Sequence, residues 1–174
     1  MRLIIALFLS FSIMSADRIF YVMPKEGSRA EAAVIREIEG AKETITIAMY
    51  SFTNNNIAKA LKDAAKRGVS IRIVVDDKSV KSDPKNSKAG VLAKIRGIAV
   101  YRITGNKAKN GNYNGIMHLK VGVIDAKTSI YGSANWTASA FNINYEILFI
   151  EHDQTSAKEL LKVMEPIFAR AETF

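Results

Sequence analysis

The stretch GIMHLKVGVID, residues 115–125, reads as a β-strand and carries one of only two histidines in the chain. Side chains alternate between the two faces of a strand, so we expect His118, Lys120 and Gly122 on one face. The residues between them are apolar and form the other face, which predicts a core on that side. Gly122 leaves room for something to approach the polar face. A plainer alternative for this stretch alone is the solvent-facing side of an edge strand.

Strands and helices alternate on both sides of this stretch, which predicts one α/β domain with a mixed β-sheet sandwiched between helices. Further strands are predicted at residues 18–23, 44–50, 70–76, 98–103, 128–131 and 144–150. Helices are predicted at residues 28–41, 54–66, 89–95 and 155–169, the last with Asp153 or Thr155 as its N-cap. Polar loops are expected at residues 77–88 and 104–115.

The composition narrows the classes of function. The chain has 174 residues, of which 48% are hydrophobic, and this suits one globular domain. A net charge of +8 favours nucleic acid, an anionic membrane or a phosphate-rich substrate, although a merely basic protein is an equal alternative. The chain has no cysteine, which excludes disulfides, a thiol nucleophile and cysteine-based zinc sites.

Residues 1–16, MRLIIALFLSFSIMSA, have the layout of a secretory signal peptide. Arg2 precedes an apolar run that is shorter than the roughly 20 residues needed to span a membrane. Cleavage after Ala16 would leave residues 17–174 as a single domain, and a retained N-terminal anchor is the alternative. The protein is therefore predicted to be exported, either to the periplasm or to a membrane surface.

The polar pair at residues 118 and 120 begins a longer pattern, H-x-K-x4-D-x6-G-S-x-N. Its six fixed positions are His118, Lys120, Asp125, Gly132, Ser133 and Asn135. The pattern resembles the signature motif of the phospholipase D superfamily. A single copy after a signal peptide resembles the exported bacterial endonucleases of the Nuc type, and NucT-like nucleases of Helicobacter and its relatives are especially similar. The likeness covers nearly all of the mature chain, through segments such as IAMYSFTNNNIAKAL and GSANWTASAFNINYE.

This resemblance implies a hydrolase that cleaves phosphodiesters through a covalent phosphohistidine, with no divalent metal and no cofactor. His118 would be the nucleophile or the proton donor, because the pKa of histidine lies near operating pH. Lys120 and Asn135 would hold the phosphoryl oxygens, and Ser133 would donate a further hydrogen bond or orient its neighbours. Glu146 matches a glutamate that orients the histidine in Nuc-type enzymes, and an exposed strand position is its alternative.

Two residues are expected to take no part in catalysis. Asp125 ends the strand on the opposite parity from His118, so we interpret it as a structural support that holds the turn or pairs with a basic residue. His152 has no lysine two residues later and no following G-S-x-N, so it is expected on the surface. The second catalytic histidine must then come from another copy of the chain, which predicts a homodimer with one shared active site.

Basic loops favour nucleic acid as the substrate, with DNA, single-stranded above all, as the first candidate and RNA as the second. Lys107 and Lys109 lie beside Tyr113 in the loop before the catalytic strand, and Tyr113 or Trp136 could stack on bases, although Trp136 is equally suited to the core. Four further lysines lie in the preceding loop, at Lys78, Lys81, Lys85 and Lys88. No base-reading motif is found, so little sequence specificity is expected. The alternatives are a phospholipase D or cardiolipin hydrolase at a membrane, and a non-catalytic DNA-binding component of an uptake machinery.

Overall fold

An eight-stranded mixed β-sheet lies between two layers of helices in the computed structural model, which describes residues 17–174. The predicted fold class is thereby confirmed. The strands are β1 (Asp17–Met23), β2 (Thr44–Met49), β3 (Ser70–Asp76), β4 (Ile98–Ile103), β5 (Lys120–Ile124), β6 (Thr128–Gly132), β7 (Glu146–His152) and β8 (Glu172–Thr173). The helices are α1 (Gly27–Gly40), α2 (Asn55–Lys66), α3 (Asp77–Ser82), α4 (Ala89–Leu92), α5 (Ala138–Asn142) and α6 (Gln154–Arg170).

The strand order in the sheet is β1-β7-β6-β5-β2-β3-β4-β8. The adjacent strands β2, β3 and β4 pair in parallel, because helical segments return the chain to the same edge before each new strand. All other neighbours pair antiparallel, with β5 joined to β6 by a tight turn. One consequence is that the carboxyl end of β2 and the amino end of β5 meet at the same edge of the sheet.

Each face of the sheet packs against its own layer of helices. Helices α1 to α5 cover one face, where Ile57 and Leu61 of the amphipathic α2 are fully buried. Helix α6 covers part of the other face through Ala157, Met164 and Phe168. Asp153 is the N-cap of α6 and accepts hydrogen bonds from two backbone N–H groups of its first turn, as the sequence predicts.

The central strand differs from its prediction in length and in its faces. Strand β5 begins only at Lys120, and residues 115–119 approach it outside the sheet ladder. The expected polar face is wrong, because all five residues of β5 are buried on both sides. The space above Gly122 is filled by the indole ring of Trp136, whose atoms would lie 3.4 Å from a Cβ at residue 122. The glycine thus admits a core side chain rather than a ligand.

Smaller differences concern the loops and the chain ends. The predicted loop at residues 77–88 contains the short helix α3, which Asp76 caps, and the helix predicted at residues 89–95 is limited to α4. Strand β8 was not predicted and extends the sheet beyond β4. The predicted signal peptide at residues 1–16 lies outside the described residues. Within residues 17–174, every helix is too short or too polar to span a membrane.

Candidate active site

One edge of the sheet collects most of the side chains predicted for catalysis. His118 immediately precedes β5, Tyr50 follows β2, Ser133 follows β6 and Glu146 begins β7. These four strands are neighbours in the order β7-β6-β5-β2, and each pairs antiparallel with the next. Antiparallel pairing places the start of one strand beside the end of the next. The fold alone therefore brings residues that are up to 96 positions apart, Tyr50 and Glu146, to one edge.

The imidazole of His118 and the ammonium of Lys120 both contact the ring of Tyr50. The Tyr50 and His118 ring centroids are 4.8 Å apart in an edge-to-face arrangement, and the Lys120 Nζ lies 5.1 Å from the Tyr50 ring centroid. His118 is exposed, whereas Lys120 is only 7% exposed. One aromatic ring thus contacts both a solvent-facing imidazole and a buried ammonium.

A hydrogen bond to the backbone just before β5 holds the side chain of Lys120 in place. Its Nζ donates a hydrogen bond of 2.8 Å to the backbone oxygen of His118. Burial lowers the pKa of Lys120 below its usual value, and the nearby carboxylate of Glu146 opposes this shift. A partly desolvated ammonium interacts more strongly with an anion than an exposed one does. Lys120 is therefore suited to bind a phosphoryl oxygen without a metal ion.

Glu146 is bound to Ser133 rather than to the histidine. The Ser133 hydroxyl donates to Glu146 Oε2, and the backbone N–H of Ile147 donates to the Ser133 Oγ at 3.1 Å. The Nδ2 of Asn144 lies 3.5 Å from Glu146 Oε1. The structure records no hydrogen bond between Glu146 and His118 within the described chain, so the orienting role of Glu146 stays a prediction. Its half-buried carboxylate instead fixes the hydroxyl of Ser133.

The segment from Gly132 to Trp136 crosses over the strand ends because a glycine allows it. A Cβ at residue 132 would lie 2.1 Å from the Ile147 backbone oxygen, and Gly132 has a φ of +152°. The Trp136 backbone oxygen then accepts hydrogen bonds from two N–H groups that follow β2. Between these anchors, the Oδ1 of Asn135 is buried with no hydrogen-bond partner in the described chain. The oxygen of the Asn135 amide thus accepts no hydrogen bond within the described chain.

Asp125 supports the turn after β5, as the sequence predicts. Its carboxylate accepts three hydrogen bonds of 2.8 Å from the backbone N–H groups of Lys42, Glu43 and Thr44. Burial alone would raise the pKa of Asp125, but these three donors outweigh it and lower the pKa below its usual value. The carboxylate therefore stays ionised and fastens the turn after β5 to the entry of β2, at the edge opposite His118.

Trp136 is a core residue, and its predicted role in stacking on bases is wrong. The side chain is 2% exposed and packs edge-to-face on Phe52, with ring centroids 5.5 Å apart. Its indole also covers Gly122. A ring enclosed in this way cannot reach a nucleotide, and its role is to hold the segment that carries Asn135 against the sheet.

The basic loop before β5 lies at the same edge as His118. Lys107, Lys109 and Tyr113 are all exposed, and Tyr113 is 65% exposed. The Nζ of Lys78 donates to the Asn114 backbone oxygen at 2.9 Å, which joins this loop to α3. The two basic segments predicted from the sequence are thus neighbours. Their contribution to substrate binding stays a prediction.

His152 lies far from this edge. It ends β7, whereas Glu146 begins it, so about 20 Å of strand separate the two at roughly 3.3 Å per residue. The exposed His152 ring pairs with Glu37, with Nε2 and Oε1 3.2 Å apart. The prediction that His152 is a surface residue is confirmed, and a single chain presents one histidine to the site.

Two residues near His118 were not identified from the sequence. Tyr50 contacts the imidazole, as described above. Asp76 is fully buried, and its Oδ1 accepts from the Ser79 N–H at 2.9 Å while its Oδ2 accepts from the Met117 N–H at 2.8 Å. The Asp-x-x-Ser spacing is typical of an N-cap and could have identified the first bond. The second bond, which fixes the residue before His118, depends on the order of strands in the sheet.

Replacing Asp76 with asparagine is expected to lower both stability and turnover. An amide has one acceptor oxygen, so only one of the two backbone N–H groups keeps its partner, and the unpaired group costs about 1 to 3 kcal/mol in the free energy of unfolding. A displaced Met117 would also misplace His118 and lower kcat. Urea unfolding and steady-state kinetics measure the two effects. Asp83→Asn is the matched control, because its half-buried carboxylate accepts hydrogen bonds only from the nearby Asn86. An Asp76→Asn variant with unaltered kcat would disprove the positioning role.

Taken together, the edge offers an exposed imidazole, a buried ammonium and the side-chain amide of Asn135, while the Ser133 hydroxyl is bound to Glu146. These groups can attack phosphorus and stabilise negative charge on non-bridging oxygens. Within residues 17–174, histidine and carboxylate side chains form no cluster of three or more that could hold a metal ion. The fold and the site therefore define a candidate phosphodiester-binding centre.

Comparison with known families agrees with this centre. Residues 34–168 match the family model described as a cardiolipin synthase, PLD-like domain. The match covers more than half of the chain, and the chain belongs to this phospholipase D-like family. The resemblance inferred from the motif is thereby confirmed.

Two solved structures resemble the whole described chain. NucT from Helicobacter pylori is 37% identical with a TM-score of 0.88, covering 92% of this chain and all of its own. Nuc from Salmonella typhimurium, a phospholipase D family member, is 27% identical with a TM-score of 0.77, covering 92% of this chain and 99% of its own. Both share the phosphodiesterase fold of the family.

Curated relatives are similar over a smaller share of their length. The mitochondrial cardiolipin hydrolase of Xenopus laevis is 27% identical over 139 residues, which are 80% of this chain and 61% of that protein. The human protein of the same name is 25% identical, with 52% of its length covered. The chain thus spans little more than half the length of these relatives.

Proposed function

We propose that the protein is a metal-independent endonuclease that cleaves DNA with little sequence specificity and prefers single strands. RNA is the second candidate substrate. The observation that carries the proposal is the exposed imidazole of His118 beside the buried ammonium of Lys120, at an edge of a fold that matches NucT and Nuc over their full lengths. Export, to the periplasm or to a membrane surface, is part of the same proposal and rests on residues 1–16.

The proposed mechanism has two displacements at phosphorus. In the first, an imidazole nitrogen of His118 forms a bond to phosphorus while the bond to the leaving oxygen breaks, and the second histidine protonates that oxygen. In the second, water attacks the phosphohistidine, gives its proton to the second histidine, and releases a phosphate monoester and free His118. Lys120 and Asn135 stabilise the non-bridging oxygens in both steps, which supplies positive charge without a metal ion.

The second histidine is proposed to be His118 of another copy of the chain. A two-fold axis at this edge would bring two identical half-sites together around one phosphate. Three large side chains beside the site support contact with a partner. Ile116 is 43% exposed, Ile143 is 73% exposed and Tyr145 is 92% exposed. Burying them between two copies would remove apolar surface from water, which favours association.

Lipid hydrolysis is the second candidate function. The similarity to cardiolipin hydrolases favours it, and the same exposed apolar residues could contact acyl chains instead of a partner subunit. Two observations favour nucleic acid. The full-length matches are to NucT and Nuc, both nucleases of this superfamily, and the loop before β5 presents exposed Lys107 and Lys109. A non-catalytic DNA-binding role, the third candidate, has no need of a buried Lys120 close to an exposed imidazole.

A substrate panel tests the proposal. We expect cleavage of single-stranded DNA to exceed that of duplex DNA, RNA and phosphatidyl substrates, and we expect EDTA to leave the rate unchanged because Lys120 supplies the charge. Product analysis of labelled oligonucleotides and mixed vesicles provides the measurement. Cleavage of cardiolipin alone would establish the second candidate, loss of activity in EDTA would contradict the metal-independent mechanism, and binding without any cleavage would establish the third candidate.

A further inference from the structure

A small cavity opens beside the end of β4, away from the strands that carry His118. Its volume is about 130 Å³, and it is lined by Asp77, Arg102, Ile103, Thr104, Arg170 and Glu172. Two arginines from different elements, β4 and the last turn of α6, therefore line one partly open cavity. The catalytic centre described above uses none of these residues.

Arg102 has an incomplete set of partners. Its Nε is buried and has no hydrogen-bond partner in the described chain. Its terminal nitrogens lie 3.9 Å from Asp77 Oδ1 and 3.6 Å from Glu172 Oε2, distances too long for hydrogen bonds. Guanidinium N–H groups without hydrogen bonds favour an anionic oxygen ligand, and a phosphate can present two oxygens to the planar guanidinium.

The local charge also favours an anion. Asp77 is already paired with Lys81, whose Nζ lies 2.6 Å from its Oδ2, and Glu172 is 80% exposed to screening solvent. Arg170 donates to the neutral Asn106 Oδ1 at 2.9 Å, so its charge is not neutralised by that contact. The two acidic side chains thus leave a surplus of positive charge in the cavity.

The register of the sheet relates this cavity to the catalytic lysine. Lys120 pairs with Met49, Met49 with Val75, and Val75 with Arg102, so the four form one row across neighbouring strands. Three strand spacings of about 4.8 Å place Arg102 about 14 Å from Lys120 at the same edge. At the stacked spacing of about 3.4 Å per nucleotide, this separation corresponds to about four nucleotides, and to fewer in an extended strand.

We propose that Arg102 and Arg170 form a second phosphate subsite, which binds the backbone of a single strand a few nucleotides from the scissile bond. Lys78, which donates a hydrogen bond to the loop between the two sites, would contact the bound nucleic-acid strand along the sheet edge. This inference rests on the proposed nuclease function. It explains a preference for flexible single strands, because such a strand can bend from one edge position to the next while a duplex is stiff.

Arg102→Gln tests the subsite by binding in the His118→Asn background, where the oligonucleotide persists. For a single strand of about twelve nucleotides, affinity should fall about tenfold at low salt, and the slope of log K against log salt should flatten by about 0.7. A dinucleotide cannot span both sites, so its affinity should be unchanged. Arg170→Gln should reproduce both results, which guards against a folding defect in one variant.

Arg96→Gln is the matched control, because Arg96 is exposed at the opposite edge of the sheet and its loss removes the same charge. An Arg102→Gln effect no larger than that of Arg96→Gln, or an equal loss for the dinucleotide, would overturn the subsite while leaving the nuclease proposal intact. Dependence on Arg102 for binding to anionic vesicles but not to oligonucleotides would also overturn it. Failure of the parent chain to bind any oligonucleotide would instead refute the nuclease proposal.

Discussion

Replacing His118 with asparagine is expected to abolish cleavage, with kcat lowered by at least about 10⁴-fold. The imidazole of His118 is exposed beside Lys120 and Tyr50, and asparagine cannot form the covalent intermediate. The fold should be unaffected, because His118 is exposed and its ring contacts only the edge of Tyr50 among the aromatic side chains of the described chain. Steady-state cleavage of a labelled single strand and thermal unfolding measure the two properties.

His152→Asn is the matched control for this experiment. His152 is the other histidine of the chain, and it pairs with Glu37 at the far end of β7. Its replacement should leave kcat within about twofold, since His152 lies at the opposite end of β7 from the site, and stability should change by no more than about 0.5 kcal/mol. Residual cleavage by His118→Asn at more than about one percent of the parent rate would be inconsistent with a phosphohistidine mechanism.

The sequence predicts the fold well where a segment has a clear period, and fails where burial depends on distant residues. The β-branched run that became β2 and the amphipathic α2 were recognisable alone. The faces of β5 were not, because the space above Gly122 is filled by Trp136, which lies fourteen positions later in the chain. Local patterns cannot show which side chain occupies a gap between elements.

The candidate site, like the fold, could be predicted from the sequence only in part. The motif identified His118, Lys120, Ser133 and Asn135 as one constellation, and the structure places them at or beside one edge. Tyr50 and Asp76 carry no motif, and each acquires its contact with the segment around His118 through the pairing of β2, β3 and β5. Strand order is a property of the whole sheet, so these contacts could not be read from any single stretch.

A dimer with one His118 replaced is expected to be nearly as inactive on DNA as a dimer with both replaced. If the two His118 side chains serve as nucleophile and proton donor at one site, the mixed dimer has only one of these functions. Loss of general acid catalysis alone costs about 10² to 10⁴-fold. Heterodimers of parent and His118→Asn chains, isolated through two different affinity tags, allow the measurement. Heterodimers with His152→Asn are the control and should keep full activity.

A substrate with a better leaving group distinguishes the loss of the proton donor from general damage to the site. A nucleoside oxygen is a poor leaving group and needs a proton as its bond to phosphorus breaks, whereas a nitrophenolate leaves without one. The mixed dimer still has one His118 as nucleophile and both copies of Lys120. It should therefore release a burst of about one nitrophenolate per dimer from a bis(nitrophenyl) phosphate diester, because the first displacement then needs no proton donor, while later turnover stays slow because hydrolysis of the phosphohistidine lacks its general base. A mixed dimer that retains half the parent rate on both substrates would show that each chain works alone, and the shared site would be wrong.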